Sequence, residues 1–470
     1  MSNESVDGDV DDVSYILENK ETSGLKTLMG DPKKAMIKLS LPMILAMSIQ
    51  TLYNLVDTFW VSGLGADALA ATGFVFPFFF ITIALSNGLG MGAGAAISRR
   101  LGARDKNAAD KVASNSMIMM LLLCLAFTVP FFVYSRELFL LVGAGKTVEL
   151  AIAYGRIIFA GSIFIFFTNV ANSILRSEGD TKRAMHAMII GAVLNIILDP
   201  IFIYTFDMGI AGAAWATILS LAISSVPMFN WLFLKRDTYI SFNFKNFRFE
   251  KDIIHDIFRV GVPASIEHSS MALSLIMLNL IVVLVDSTDG VAVYSVGWRV
   301  ASIAIQPLIG IATAVITMAG FSYGARSFKK IDFIHIYATK IGFLIELVIS
   351  LFTYFLAPQI AHIFTMSENA AHITDELIVL LRILCIFYPM ISLGMMSSSL
   401  FQGTGKGMNS LASTIIRSLI LAPLFAFLLG SRLDLGITGV WWGIVIGHIV
   451  GSLIPFIWAR LYIAALNRTN

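Results

Sequence analysis

Twelve predominantly apolar stretches, each longer than twenty residues and parted by short polar loops, leave this chain few folds to choose from. A helix needs about twenty apolar residues to cross a bilayer. Inside lipid every backbone N–H and C=O must be satisfied internally, so only helices and closed barrels span it. The blocks fall at 35–62, 68–97, 112–134, 151–175, 184–206 and 210–234, then at 255–286, 290–320, 335–358, 376–401, 408–430 and 436–464. Charged residues make up 14% of the chain, against about 25% in soluble domains. The expected fold class is an all-α integral membrane protein of twelve transmembrane helices in two pseudo-symmetric six-helix lobes.

Lys and Arg set the orientation. Loops after spans two, four, six, eight and ten carry seventeen of them, while the alternate loops carry only Arg136, Lys146 and Arg432. Both termini are therefore expected in the cytoplasm, with the chain multi-pass in the cell membrane. Residues 1–30, rich in Asp and Glu up to Glu21, read as a flexible acidic cytoplasmic tail with no cleavable signal peptide. The remainder divides into an N-lobe at 31–236, a cytoplasmic linker at 237–254 and a C-lobe at 255–470. A net charge of +2 offers no field suited to nucleic acid. Cys124 and Cys385 lie inside apolar blocks and read as small core residues.

The second half repeats the first at an offset of about 222 to 227 residues. Leu101-Gly-Ala-Arg104 matches Tyr323-Gly-Ala-Arg326, and Ser177-Glu-Gly-Asp180 matches Gly403-Thr-Gly-Lys406. Asp199-Pro200 falls opposite Ala422-Pro423, and Gly209-Ile-Ala-Gly212 opposite Gly436-Ile-Thr-Gly439. Six spans per half make the repeat parallel, about an axis along the membrane normal, which suits rocking-type alternating access. Two complete lobes also make a monomer sufficient. The glycine-rich run at Gly403–Gly407 lacks the first glycine and the Ser/Thr of a phosphate-binding loop, so nothing points to ATP as the driving force.

Ionisable residues deep in a span cost at least ~2.5–3.5 kcal/mol and mark functional sites by default. In the first half these are Asp57 and Asp199, with no deep basic partner; in the second, Glu267 and Glu346 accompany Arg299, Arg382 and Arg417 and can neutralise one another. Asp57 lies about five residues below the outer end of span one, roughly 7 Å. Asp199 and Thr217 lie about seven residues below the same surface, roughly 10 Å. Asn195 and Tyr53 each precede an acid by four residues and share its helix face. Two carboxylates, an amide and two hydroxyls can thus converge, and such a set holds either a proton or a desolvated Na⁺. His186 and His448 read as core groups, and Trp441 and Trp442 as interfacial anchors.

Tyr53-Asn-Leu-Val-Asp-Thr-Phe-Trp60, Asn195-Ile-Ile-Leu-Asp-Pro200 and Thr217 resemble the MATE family of multidrug and toxin extruders, most of all its prokaryotic branch related to the DNA-damage-inducible transporters. The resemblance covers residues from about 30 onward. It implies export of small organic, often cationic compounds in exchange for H⁺ or Na⁺ across the lipid bilayer, with no other cofactor. It also implies a coupling site at Asp57, Asn195, Asp199 and Thr217, where Na⁺ would sit if it is the ion, completed by the carbonyl of Ala213. Pro42 matches a proline linked to helix bending, and Tyr154 and Asn172 match polar-network positions beside Tyr53. Depth places Tyr154 near the outer end of span four and Asn172 near its inner end. Span ten holds Arg382 and no mid-membrane acid, which argues against a C-lobe cation site and leaves Glu267 equally suited to pairing with an arginine.

Rival functions are a lipid-linked precursor flippase of the same superfamily, or a receptor or channel without coupled flux. A flippase calls for a basic cavity, whereas the unpaired deep charges here are acidic. No His-Glu-x-x-His or paired-aspartate protease motif supports an enzyme.

Overall fold

The chain is described by a computed structural model covering residues 22–468, apart from 236, 245–246, 287 and 367. Among the described residues, eleven helices are long and apolar enough to cross a membrane: Pro32–Ser62, Ala66–Gly102, Lys106–Val133, Thr181–Thr205, Gly209–Leu234, Lys251–Val285, Gln306–Gly324, Phe328–Phe364, Ala371–Gly403, Gly407–Arg432 and Gly436–Arg468. A twelfth crossing is the pair Gly145–Ala160 and Ser162–Ser177, bent by 44° at Gly161. These are spans one to twelve in chain order, the bent pair being span four. Several run past the apolar blocks because capping chemistry, not hydropathy, decides where a helix starts. The carboxylates of Asp31, Asp105 and Asp180 accept from backbone N–H groups of the first turn in spans one, three and five.

Three features depart from the sequence reading. Residues 1–21 of the expected tail lie outside the described residues, but its last part is a packed helix, Ser23–Met29, capped by Thr22. Leu25 and Leu28 are buried in the main core, and Lys330 Nζ donates to the carbonyl of Leu28 at 2.7 Å and that of Gly30 at 3.2 Å. Span eight, expected as one helix over 290–320, is two pieces, Thr288–Ala304 and Gln306–Gly324. Span ten is likewise interrupted by a tight turn at Cys385–Phe387. In both, a proline just beyond the break (Pro307, Pro389) withholds the N–H that would continue the helix.

The duplication is written into the backbone. Arg104 and Arg326 both take left-handed φ (60° and 53°), as do Gly179 and Gly405 (86° and 81°) and Asp207 and Asp434 (53° and 52°). Left-handed non-glycine residues are uncommon, so their recurrence at the repeat offset marks two copies of one scaffold. The lobes meet symmetrically: span one lies along span eight, and span seven along span two.

At the face carrying the Lys- and Arg-rich loops, here the basic face, spans two and eight cross without room for side chains. A Cβ on Gly102 would stand 1.9 Å from the carbonyl oxygen of Phe321, and one on Gly324 would stand 1.9 Å from that of Arg99. Arg99 reaches into the other lobe, donating to Asp256 at 2.7 Å and to the Gly403 carbonyl at 3.1 Å. The molecule is sealed at this face.

Candidate cation and substrate site

Span five brings Asn195 and Asp199 to one face, four residues apart, and span one sets Asp57 against them. The carboxyl groups of Asp57 and Asp199 lie within electrostatic reach of one another. Asp199 is completely buried and Asp57 half-buried. Span six contributes Thr217: its hydroxyl donates to the carbonyl of Ala213 at 3.0 Å and accepts from Asn195 Nδ2 at 3.3 Å. All four sequence-derived ligands and the Ala213 carbonyl therefore belong to one cluster.

Its chemistry is lopsided. Both carboxyl oxygens of Asp199 and the Oδ1 of Asn195 are buried with no protein donor. Buried polar atoms almost always find a partner, and a group of oxygens without donors suits a proton or a small hard cation, which oxygen ligands prefer.

Tyr53 and Tyr154 both lie within electrostatic reach of the two acids. Depth alone put Tyr154 near the outer end of span four. The ring packs against Val61, Ile203 and Ala213, which places it beside the cluster. Asn172 is buried with a free Oδ1 and lines a cavity of about 330 Å³ that it shares with Tyr53, Asn195 and Thr217. Sequence reasoning missed Tyr204. In the π-helical turn Ile201–Thr205 after Pro200, its hydroxyl donates to the Trp60 carbonyl at 2.6 Å and ties span five to the outer end of span one. The Asp-Pro step was the available signal, because proline inside a helix forces such a local adjustment. Pro42 sits inside span one, with its ring half-buried.

The C-lobe does not neutralise itself as expected. Among the described residues no ion pair joins Glu267 or Glu346 to Arg299, Arg382 or Arg417. Glu267 instead accepts from Gln402 Nε2 at 3.1 Å, and Gln402 also donates to Ser410. Glu346 is fully buried with neither oxygen partnered. Arg382 lies over the Tyr354 ring. Glu267 and Arg417 lie within electrostatic reach of one another without an ion-pair contact, whereas Glu346 has no such partner among the described residues. His448 is a core group, stacked on Phe387 and Trp298. Trp441 is not an interfacial anchor: it is fully buried against Tyr294.

Outside the spans, Glu178 is the residue that sequence reasoning passed over. It is 1% exposed, and its Oε2 accepts from the backbone N–H of Tyr239 (2.9 Å) and Ile240 (3.0 Å) in the interlobe segment. Burial pushes its carboxyl up to about 8, against the opposing pull of those two N–H donors.

Known proteins place this geometry. The MatE family model matches residues 42–201 and 263–428, most of the chain. The multidrug export protein MepA of Staphylococcus aureus (strain MSSA476) is 26% identical over 426 residues, covering 89% of this chain and 92% of that protein. A solved structure described as the outward-facing conformation of a multidrug resistance MATE family transporter of the MOP superfamily is 46% identical, with a TM-score of 0.93 over 96% of this chain and 100% of that one. A MATE structure in the straight conformation is 45% identical, with a TM-score of 0.93 over 96% of this chain and 100% of its own length. With one pair of six-helix lobes and the family model matched in both, the chain belongs to the MatE family of membrane transporters.

Proposed function

We propose that this chain is a secondary multidrug antiporter that exports small organic, often cationic compounds while H⁺ or Na⁺ runs in through the Asp57–Asp199 cluster. The observation that carries the reading is the buried set of donor-less oxygens on Asp199 and Asn195. Filling it with a cation from one side, and emptying it to the other when the lobes rock, couples the ion to the substrate. Tyr53, Tyr154 and Asn172 complete the polar network around it, and Pro42 is the hinge of span one. With the basic face in the cytoplasm of the cell membrane, as its Lys and Arg content favours, both termini are cytoplasmic and the sealed state is outward-facing. The likeness to the outward-facing relative supports this. One chain holds both lobes and works as a monomer.

The test is movement of a cationic dye in proteoliposomes under a pH gradient or a Na⁺ gradient, imposed separately. One gradient is expected to drive export, and Asp57→Asn and Asp199→Asn are each expected to abolish it while the protein stays folded. Normal export by both variants overturns the N-lobe mechanism; a folded wild type that moves no dye under either gradient overturns the antiport reading.

A further inference from the structure

The cavity below the acid pair has one charged residue in its lining, at its far end. It runs inside the N-lobe from Asn195 and Thr217 past Asn54, Asn169 and Asn172 to Arg176 in the last turn of span four. Amides and hydroxyls stand along this route among apolar side chains, and among the described residues no carboxylate, lysine or histidine lines it.

Arg176 is unusual for an arginine at a helix end. Long basic side chains near the ends of spans ordinarily reach out to the interface, whereas this one lines an interior cavity. It also has no carboxylate within ion-pair distance among the described residues. Its neighbours are provided for: Arg183 pairs with Asp180 and Asp237, and Arg99 pairs with Asp256. The nearest acid in the chain, Glu178, is engaged by the N–H groups of Tyr239 and Ile240. The backbone at Arg176 lies against the other lobe, its carbonyl accepting from Thr317 Oγ1 at 3.3 Å. A fixed, uncompensated positive charge thus stands at the basic end of a cavity whose other end is at Asn195 and Thr217, the neighbours of the acid pair.

We infer that Arg176 is the charge barrier that stops a cation held at Asp57 and Asp199 from running on through the N-lobe, so that the ion crosses only when the lobes rock. This rests on the antiport reading above. An arginine that closes a polar pore to cations by its field alone is physically sufficient. Neutralising it is expected to raise cation passage about tenfold, the effect of one unit charge about 12 Å away at an effective dielectric of about 20.

The experiment uses the full chain in proteoliposomes loaded with a pH- or Na⁺-reporting dye, with an ion gradient and no organic compound. Arg176→Met is expected to leak the driving ion about tenfold faster than wild type, and Arg176→Lys to stay near wild type. Asp57→Asn combined with Arg176→Met is expected to return the leak to background, since the ion enters through the acid pair. Asn172→Asp, four residues earlier on the same helix, keeps the arginine but supplies a counter-charge. It is expected to leak as well, and it carries the test if Arg176→Met does not fold. Ion-driven export in wild type with background leak in both neutralised variants overturns the barrier, and so does a leak that survives Asp57→Asn. Absence of ion-driven export in wild type overturns the antiport reading and this inference with it.

Discussion

Thr217 is the residue at which the candidate site can be probed most gently. Its hydroxyl oxygen joins Asn195 to the Ala213 carbonyl, yet its helix does not depend on it. Thr217→Val keeps the shape and the β-branch while removing one oxygen from the cluster. A single such contact is worth ~1–1.5 kcal/mol, so the half-saturating cation concentration for export should rise about tenfold, with thermal stability little changed. An ion titration of dye export checks this; unchanged affinity would remove Thr217 from the ligand set. The acids carry a larger share. Losing Asp57 or Asp199 removes a charge rather than a dipole, and abolition of coupling is expected there instead of a shift.

At the scale of elements, the crossing of spans two and eight decides which face is sealed. Gly102 and Gly324 are equivalent glycines of the repeat, and each lets a backbone carbonyl of the other helix approach to where its own Cβ would stand. Contact at that distance with backbone, not with a flexible side chain, cannot be relieved by a rotamer change. Gly324→Val should therefore force the basic ends of these two spans apart and deplete the sealed state. Spin labels on the two loops at this face would report a longer mean distance, and export would fall several-fold. An unchanged distance would show that the helices slide without opening. The bend at Gly161 and the break at Cys385–Phe387 interrupt spans four and ten, equivalent in the two lobes, near their middles. Spans four and ten thus share an irregularity, whereas the break in span eight has no counterpart in span two.

For the whole molecule, the segment joining the lobes is held to the N-lobe by side chains rather than left loose. Glu178 accepts from two of its N–H groups, Asp110 accepts from Ser241 N at 2.8 Å, and Asp237 pairs with Arg183 at 2.7 Å. With the Glu178 carboxyl pushed up to about 8, the folded protein binds a proton there that the unfolded chain releases near the ordinary value of 4.5. Its contribution to stability is therefore complete below about pH 4.5, declines as pH rises, and is lost once pH has passed about 8. Thermal unfolding in detergent should show this decline, and Glu178→Gln, which keeps an acceptor but cannot ionise, should flatten it. Identical pH profiles for variant and wild type would rule out Glu178 as the titrating group.

What the sequence determined by itself is local or periodic. The number of spans follows from apolar runs, the duplication from recurring turns, and the pairing of Asn195 with Asp199 from four-residue spacing on one helix. Each is set by neighbours along the chain, so no knowledge of packing was needed. The tertiary structure decided what depends on contacts between distant segments. Tyr154 joins the acid pair because the fold brings span four against spans one and six. Glu178 is spent on backbone 61 residues away, which leaves Arg176 uncompensated. Among the described residues Glu346 is buried without an arginine and Glu267 reaches Arg417 only at a distance, which a count of charges does not reveal. Residues 23–29 leave the expected tail because Leu25 and Leu28 find a core to enter. In each case burial and partnership, not residue type, settled the outcome, and only the folded chain defines them.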